Sequence, residues 1–135
     1  MDGHGKTILV VDDNESNRKL LALLLDNAHY DVQLAADGCE AVEKMLKGVF
    51  DAVMTDWDMP RMNGSKFLAL SRILWPDIPV IIVSAHAANP GDGVHRQAFA
   101  WVQKPYEPEH LLEILHAAVQ TSGRWRWERT IATPL

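Results

Sequence analysis

One cysteine in 135 residues, Cys39, leaves this chain without an internal disulfide or a four-cysteine zinc site. Long apolar runs are also missing. Even the longest unbroken one, Leu20 to Leu25, and strand-like runs such as Ile8 to Val11 and Val80 to Val83 fall far short of the roughly 20 residues that cross a bilayer. The opening MDGHGK has no apolar signal region, and no internal repeat or low-complexity tract is present. A soluble, cytoplasmic protein with no membrane contact is expected. Positive charge is scarce as well: the net charge is −5, and Arg124, Arg126 and Arg129 lie beyond residue 121, so the rest is more acidic still. Such a body is unsuited to direct nucleic-acid binding.

What is present is one domain's worth of core, with 47% hydrophobic and 23% charged residues. TILVV (7–11), DVQLA (31–35), DAVMT (51–55), PVIIV (79–83) and AWVQ (100–103) read as strands. Helical segments are expected near 15–28, 38–47, 64–74, 91–98 and 108–121, with stripes such as Leu20, Leu21, Leu24 and Leu25 facing a sheet. Strand, helix, strand at this spacing requires parallel pairing. Right-handed crossovers on both faces then give a three-layer α/β/α sandwich. Asp37 is placed to cap the second helix, Gly48 to end it in a left-handed turn, and Trp75-Pro76 to stop the third. The domain is expected over 1–121, and 122–135, SGRWRWERTIATPL, as an extension without its own fold.

Ligands in an open parallel sheet sit outside the carboxyl ends of the strands. Those ends carry Asp12 and Asp13 (VVDDN), Asp56 (MTDWD), Ser84 (IVSAH) and Lys104 (VQKP). Clustered carboxylates repel unless a hard cation sits among them, and an all-oxygen set favours Mg2+ over zinc. Lys104 and Ser84 are the groups needed to hold phosphoryl oxygens, leaving Asp56 as nucleophile. Taken singly, Asp12-Asp13 could cap a helix, Asp56 end a turn, Ser84 be a loop hydroxyl and Lys104 a solvated lysine. Their arrival at one sheet edge argues for a site.

In these residues the chain resembles the receiver domain of two-component response regulators, of the stand-alone, chemotaxis-regulator-like kind, over residues 6 to about 121. The resemblance implies a five-stranded, flavodoxin-like doubly wound fold and phosphorylation of Asp56 by a sensor histidine kinase or histidine phosphotransfer protein. It implies direct Mg2+ ligation by Asp13, Asp56 and the Asp58 backbone carbonyl, with Asp12 acting through water. Lys104 would contact the phosphoryl group and Ser84 turn toward it. Trp101 stands where the family usually has a tyrosine or phenylalanine that rotates inward, so Ser84 and Trp101 form the expected switch. His86 lies at a position that influences autodephosphorylation, and the Asp58 side chain stands at the site's mouth.

The sequence departs from the family over AHAANPGDGVHRQAF (85–99), where two glycines and a proline disfavour helix, so a short or displaced fourth helix is expected. Dimerisation through that helix is not expected, and a monomer or weak dimer is. The function expected is a phosphoacceptor that switches a protein-interaction surface toward a downstream target; it is not an enzyme, though it assists its own phosphorylation and dephosphorylation. The rival readings are a constitutive protein-binding module and an excised receiver of a longer regulator or hybrid kinase. The start MDGHGKT and end ATPL favour a whole protein. A hydrolase of the haloacid-dehalogenase kind would need its nucleophile on the first strand.

Overall fold

The computed structural model describes residues 2–89 and 91–132, those from 122 to 132 as backbone alone. Five strands, β1 (Thr7–Val11), β2 (Asp31–Ala35), β3 (Ala52–Thr55), β4 (Val80–Ser84) and β5 (Ala100–Gln103), form one parallel sheet in the order β2-β1-β3-β4-β5. Helices α1 (Glu15–Asn27), α2 (Gly38–Lys47), α3 (Gly64–Leu74) and α4 (Pro108–Ala132) connect and flank it. The receiver-like three-layer sandwich expected from the strand and helix spacing is the observed architecture.

Alternation along the strands sorts the layers. Ile8 and Val10 of β1 join Met54, Ile81, Val83 and Val102 under Leu21 and Leu25 of α1 and Leu111 and Leu115 of α4. Leu9 and Val11 point the other way, with Val53 and Ile82, against Ala41 and Met45 of α2 and Phe67 and Leu68 of α3. Successive side chains of a strand face opposite sides, so a strand covered on both faces must be apolar throughout. All four residues of β3 are buried accordingly. Each such side chain removed from water contributes about 1.5–3 kcal/mol before entropic costs.

The order β2-β1-β3 places the topological switch between β1 and β3, because the chain leaves β1 toward one edge and returns to pair β3 on β1's other side. The register sets Val11 beside Thr55, so the residues that follow them, Asp12 and Asp56, emerge side by side. Local sequence fixes the entries to the helices. The Asn14, Asp37 and Asn63 side chains accept from the amides of Asn17, Glu40 and Lys66, satisfying N-terminal donors of α1, α2 and α3. Gly64, at the start of α3, has a steric role: a Cβ there would stand 2.6 Å from the Asp56 carbonyl oxygen and 2.7 Å from the Trp57 Cα.

Several expectations are corrected. Gly48 follows α2 in an extended conformation (φ −140°), because the chain runs directly toward β3 without reversing through a left-handed turn. Asp51 precedes β3, and its carboxylate accepts from the Thr7 amide at 2.8 Å; Ser84 closes β4. Residues 91–98 contain a three-residue 3-10 turn, His95–Gln97, in place of a helix, as the glycines and proline foreshadowed. The backbone of α4 continues past 121 to Ala132; the reading of 122–135 as an extension otherwise lies outside the described side chains.

Gly64→Ala is expected to lower unfolding stability by about 1–3 kcal/mol, since the obstructing atoms are backbone and cannot swing aside. Urea denaturation monitored by circular dichroism measures it; an unchanged midpoint would show that α3 shifts freely relative to Asp56.

Candidate functional site

The site lies at the carboxyl ends of β1, β3, β4 and β5. Asp12 is buried, Asp56 half-buried and Asp13 exposed, and each offers a carboxylate oxygen within 4.8 Å of the others. Lys104, which follows β5, reaches across them: its Nζ stands 3.5 Å from Asp12 Oδ2 and 3.9 Å from Asp56 Oδ2. Lys104 thus places a positive charge beside both carboxylates. Asp12 Oδ1 also accepts from the Asn14 amide at 2.9 Å, and the Asp12 carbonyl accepts from Arg18 Nη1 at 2.7 Å, which ties the end of β1 to the first turns of α1.

Asp56 accepts a 2.7 Å hydrogen bond at Oδ1 from the Trp57 amide. Burial pushes its carboxyl above the ordinary carboxylate range; Lys104 and the Trp57 and Asp58 amides oppose the rise, and the Asp12 charge adds to it. Ser84, fully buried, accepts at Oγ from the His86 amide at 3.1 Å and so bonds within its own loop. His86 Nε2 stands 2.9 Å from Asp58 Oδ2, joining two exposed side chains across the mouth of the site. Trp101, half-buried on β5, donates its indole N–H to the His86 carbonyl at 2.7 Å.

A profile of the response regulator receiver domain matches residues 8–116. The chain belongs to the response regulator receiver family. Among relatives, the transcriptional regulatory protein GlrR of Escherichia coli is 30% identical over 95% of this chain, and the chain covers 30% of that protein's length. Response regulator protein TrrA of Thermotoga maritima, whose crystal structure is a complex with Mg(2+)-BeF, is 30% identical with a TM-score of 0.79, over 84% of this chain and 98% of that one. A CheY-like receiver domain protein of Methanospirillum hungatei superposes with a TM-score of 0.82 at 27% identity, over 89% and 98% respectively.

As in a receiver, the acidic oxygens suit a hard divalent cation. Three carboxylates from two adjacent strand ends face one space, and burial of Asp56 disfavours its charge, which a cation would restore. The donor set contains no thiol or imidazole.

Tertiary neighbours absent from the sequence reading complete the receiver's surface. Arg61, held at φ +62°, donates from Nε to Asp37 Oδ2 at 2.7 Å, with Nη2 at 2.6 Å, anchoring the β3–α3 loop to the start of α2. Burial acts to raise the Asp37 carboxyl, yet the Glu40 amide and Arg61 together hold it below its ordinary value. Beside Asp56 and Lys104 a cavity of about 550 Å³ runs along α1, walled by Leu20, Leu23 and Tyr106. The leucine stripe on α1 was visible in sequence, but its exposed members could not be told from its buried ones.

Because the folded protein raises the Asp56 carboxyl above its unfolded value, the folded state holds that proton more tightly, and stability falls as pH rises through the interval between the two values. Above it the ionised carboxylate is a standing cost. Asp56→Asn in chelator is therefore expected to melt higher than wild type at pH 7, with the gap closing toward about pH 4, near the unfolded carboxylate value. Scanning calorimetry across pH measures it; a gap independent of pH would assign the effect to packing.

Proposed function

We propose that Asp56 is the phosphoacceptor of a two-component phosphorelay and that its modification switches a protein-interaction surface. The observation carrying this reading is the convergence at the β1–β3 switch point of Asp12, Asp13 and Asp56 with Lys104 poised 3.9 Å from the acceptor. An Asp56 carboxylate oxygen attacks the phosphorus of a phosphohistidine on the donor. The new O–P bond forms as the N–P bond breaks, and the leaving imidazole nitrogen keeps the electron pair. The Trp57 amide holds Oδ1, leaving the other oxygen free to attack. Lys104, now shared between Asp12 and Asp56, turns to the incoming phosphoryl oxygens and stabilises their charge. Ser84 exchanges the His86 amide for the phosphoryl group and becomes a donor to it. Asp13, Asp56 and the Asp58 backbone carbonyl would hold Mg2+, with Asp12 acting through water; when bound the ion supplies positive charge beside the phosphoryl oxygens. His86 and the Asp58 side chain, paired over the mouth, tune hydrolysis of the aspartyl phosphate by governing access of water.

A sensor histidine kinase or histidine phosphotransfer protein is the proposed donor, and the apolar groove along α1 suits its histidine-bearing helix. Leu20 and Leu23 are 64% and 58% exposed and stand on the wall leading to Asp56. No helix among the described residues is long and apolar enough to cross a membrane, which accords with a cytoplasmic relay component. We read the chain as a signalling domain that assists its own phosphorylation and dephosphorylation. The chain spans under a third of the relative GlrR, so an output belonging to a longer regulator is the second reading.

Incubation with acetyl phosphate and Mg2+ is expected to add one phosphoryl group by intact mass, and Asp56→Asn to take none. Wild type of unchanged mass would favour a constitutive binding module. Leu20→Ser is expected to slow transfer from a phosphorylated histidine protein about tenfold, near 1.4 kcal/mol, while leaving acetyl phosphate labelling unchanged. Equal rates from the protein donor would remove α1 from the docking surface.

A further inference from the structure

The loop from 57 to 63 joins Asp56 to α3 and carries backbone groups that serve the site. The amides of Trp57 and Asp58 both favour the charged form of the Asp56 carboxylate, and the Asp58 carbonyl is the proposed Mg2+ ligand. A carbonyl of the main chain has no rotamer to adjust, so its place is set by whatever holds the loop.

Two attachments hold the far end of that loop against α2. The Met62 carbonyl accepts from the Gly38 amide at 3.3 Å, and a Cβ on Gly38 would stand 2.7 Å from that carbonyl oxygen and 2.9 Å from Met62 Cβ. Beside it, Arg61 directs Nε and Nη2 to one oxygen of Asp37, Oδ2, at 2.7 and 2.6 Å, while Oδ1 accepts from the Glu40 amide. Asp37 is only 6% exposed, and both its oxygens are occupied. Arg61 reaches it from φ +62°, a left-handed conformation that strains any residue bearing a Cβ. Such strain persists only where surrounding contacts over-determine it, and the contact here is a guanidinium on a buried carboxylate.

We propose that Arg61 is a positioning residue for the cation: its fork on Asp37 clamps the loop to the start of α2 and so fixes the Asp58 carbonyl relative to the carboxylates of Asp12, Asp13 and Asp56. This rests on the reading of those groups as an Mg2+ site. Partners that orient a ligand from behind set metal affinity through geometry, and their loss costs about tenfold or more. The sign of the effect separates the clamp from simple charge. A positive side chain near an acidic site repels the metal, so deleting Arg61 would by charge alone tighten Mg2+, whereas neutralising Asp37 would loosen it. The clamp requires both changes to loosen it, through one shared contact.

Calorimetric titration of Mg2+ alone into the whole chain tests this, alongside acetyl phosphate labelling as a function of Mg2+. Arg61→Gly, which relieves the left-handed strain while removing the fork, should bind Mg2+ about tenfold more weakly. Its labelling rate at saturating Mg2+ should stay within about twofold of wild type, since the reacting groups are untouched. Asp37→Asn, which keeps an oxygen for the Glu40 amide but loses the acceptor for Arg61, should show the same loss of affinity. The double variant should also lose about tenfold, where independent effects would give about a hundredfold. If Asp37→Asn fails to fold, Arg61→Ala, which leaves the helix cap in place, carries the same expectation as Arg61→Gly. Mg2+ affinity in Arg61→Gly equal to or tighter than wild type would overturn the clamp, as would losses that multiply in the double variant. Wild type that takes up no Mg2+ would overturn the metal reading and the clamp with it.

Discussion

Three carboxylates crowded against one lysine at the edge of an apolar sheet set the terms for the rest of this molecule. Asp12 and Asp56 can lie so close because parallel pairing of β1 with β3 brings Val11 beside Thr55, and the chain then releases both acids into one crevice. Their mutual repulsion and the burial of Asp56 are held in check by Lys104, delivered from the far edge of the sheet by β5. An arrangement left short of positive charge is receptive to a further cation. Gly64 serves this arrangement from outside, letting α3 begin against the backbone that carries Asp56.

The path from site to surface is correspondingly short. Ser84, the His86 amide and carbonyl, Trp101, His95 and Trp57 form a chain of contacts that ends at Asp56. In place of a helix, the loop from 85 to 99 is organised by side-chain packing around His95.

A second surface is built on the opposite helical layer. The stripe on α1 divides into Leu21 and Leu25, which close the core, and Leu20 and Leu23, which remain in water beside Asp56. Apolar side chains left exposed next to a charged site offer the surface on which the proposed phosphoryl donor would dock. The Arg61–Asp37 pair fixes the adjoining β3–α3 loop, so the rim facing that partner is firm on one side.

Local pattern alone determined the strands to within a residue, because runs such as TILVV and PVIIV must be buried on both faces, and it determined three of the helix starts, because Asn14, Asp37 and Asn63 cap within three residues of themselves. The convergence of Asp12, Asp13, Asp56, Ser84 and Lys104 was legible for the same reason: parallel strands share one carboxyl edge, so strand-final residues meet there in any such fold. Helix ends were less legible, since Gly48 and the continuation of α4 to Ala132 depend on where the chain is next required. Only tertiary structure paired Arg61 with Asp37, His86 with Asp58, and His95 with the two tryptophans. Those contacts join residues on separate segments of the chain, where no periodicity links the positions, and side-chain packing in three dimensions selects the partner.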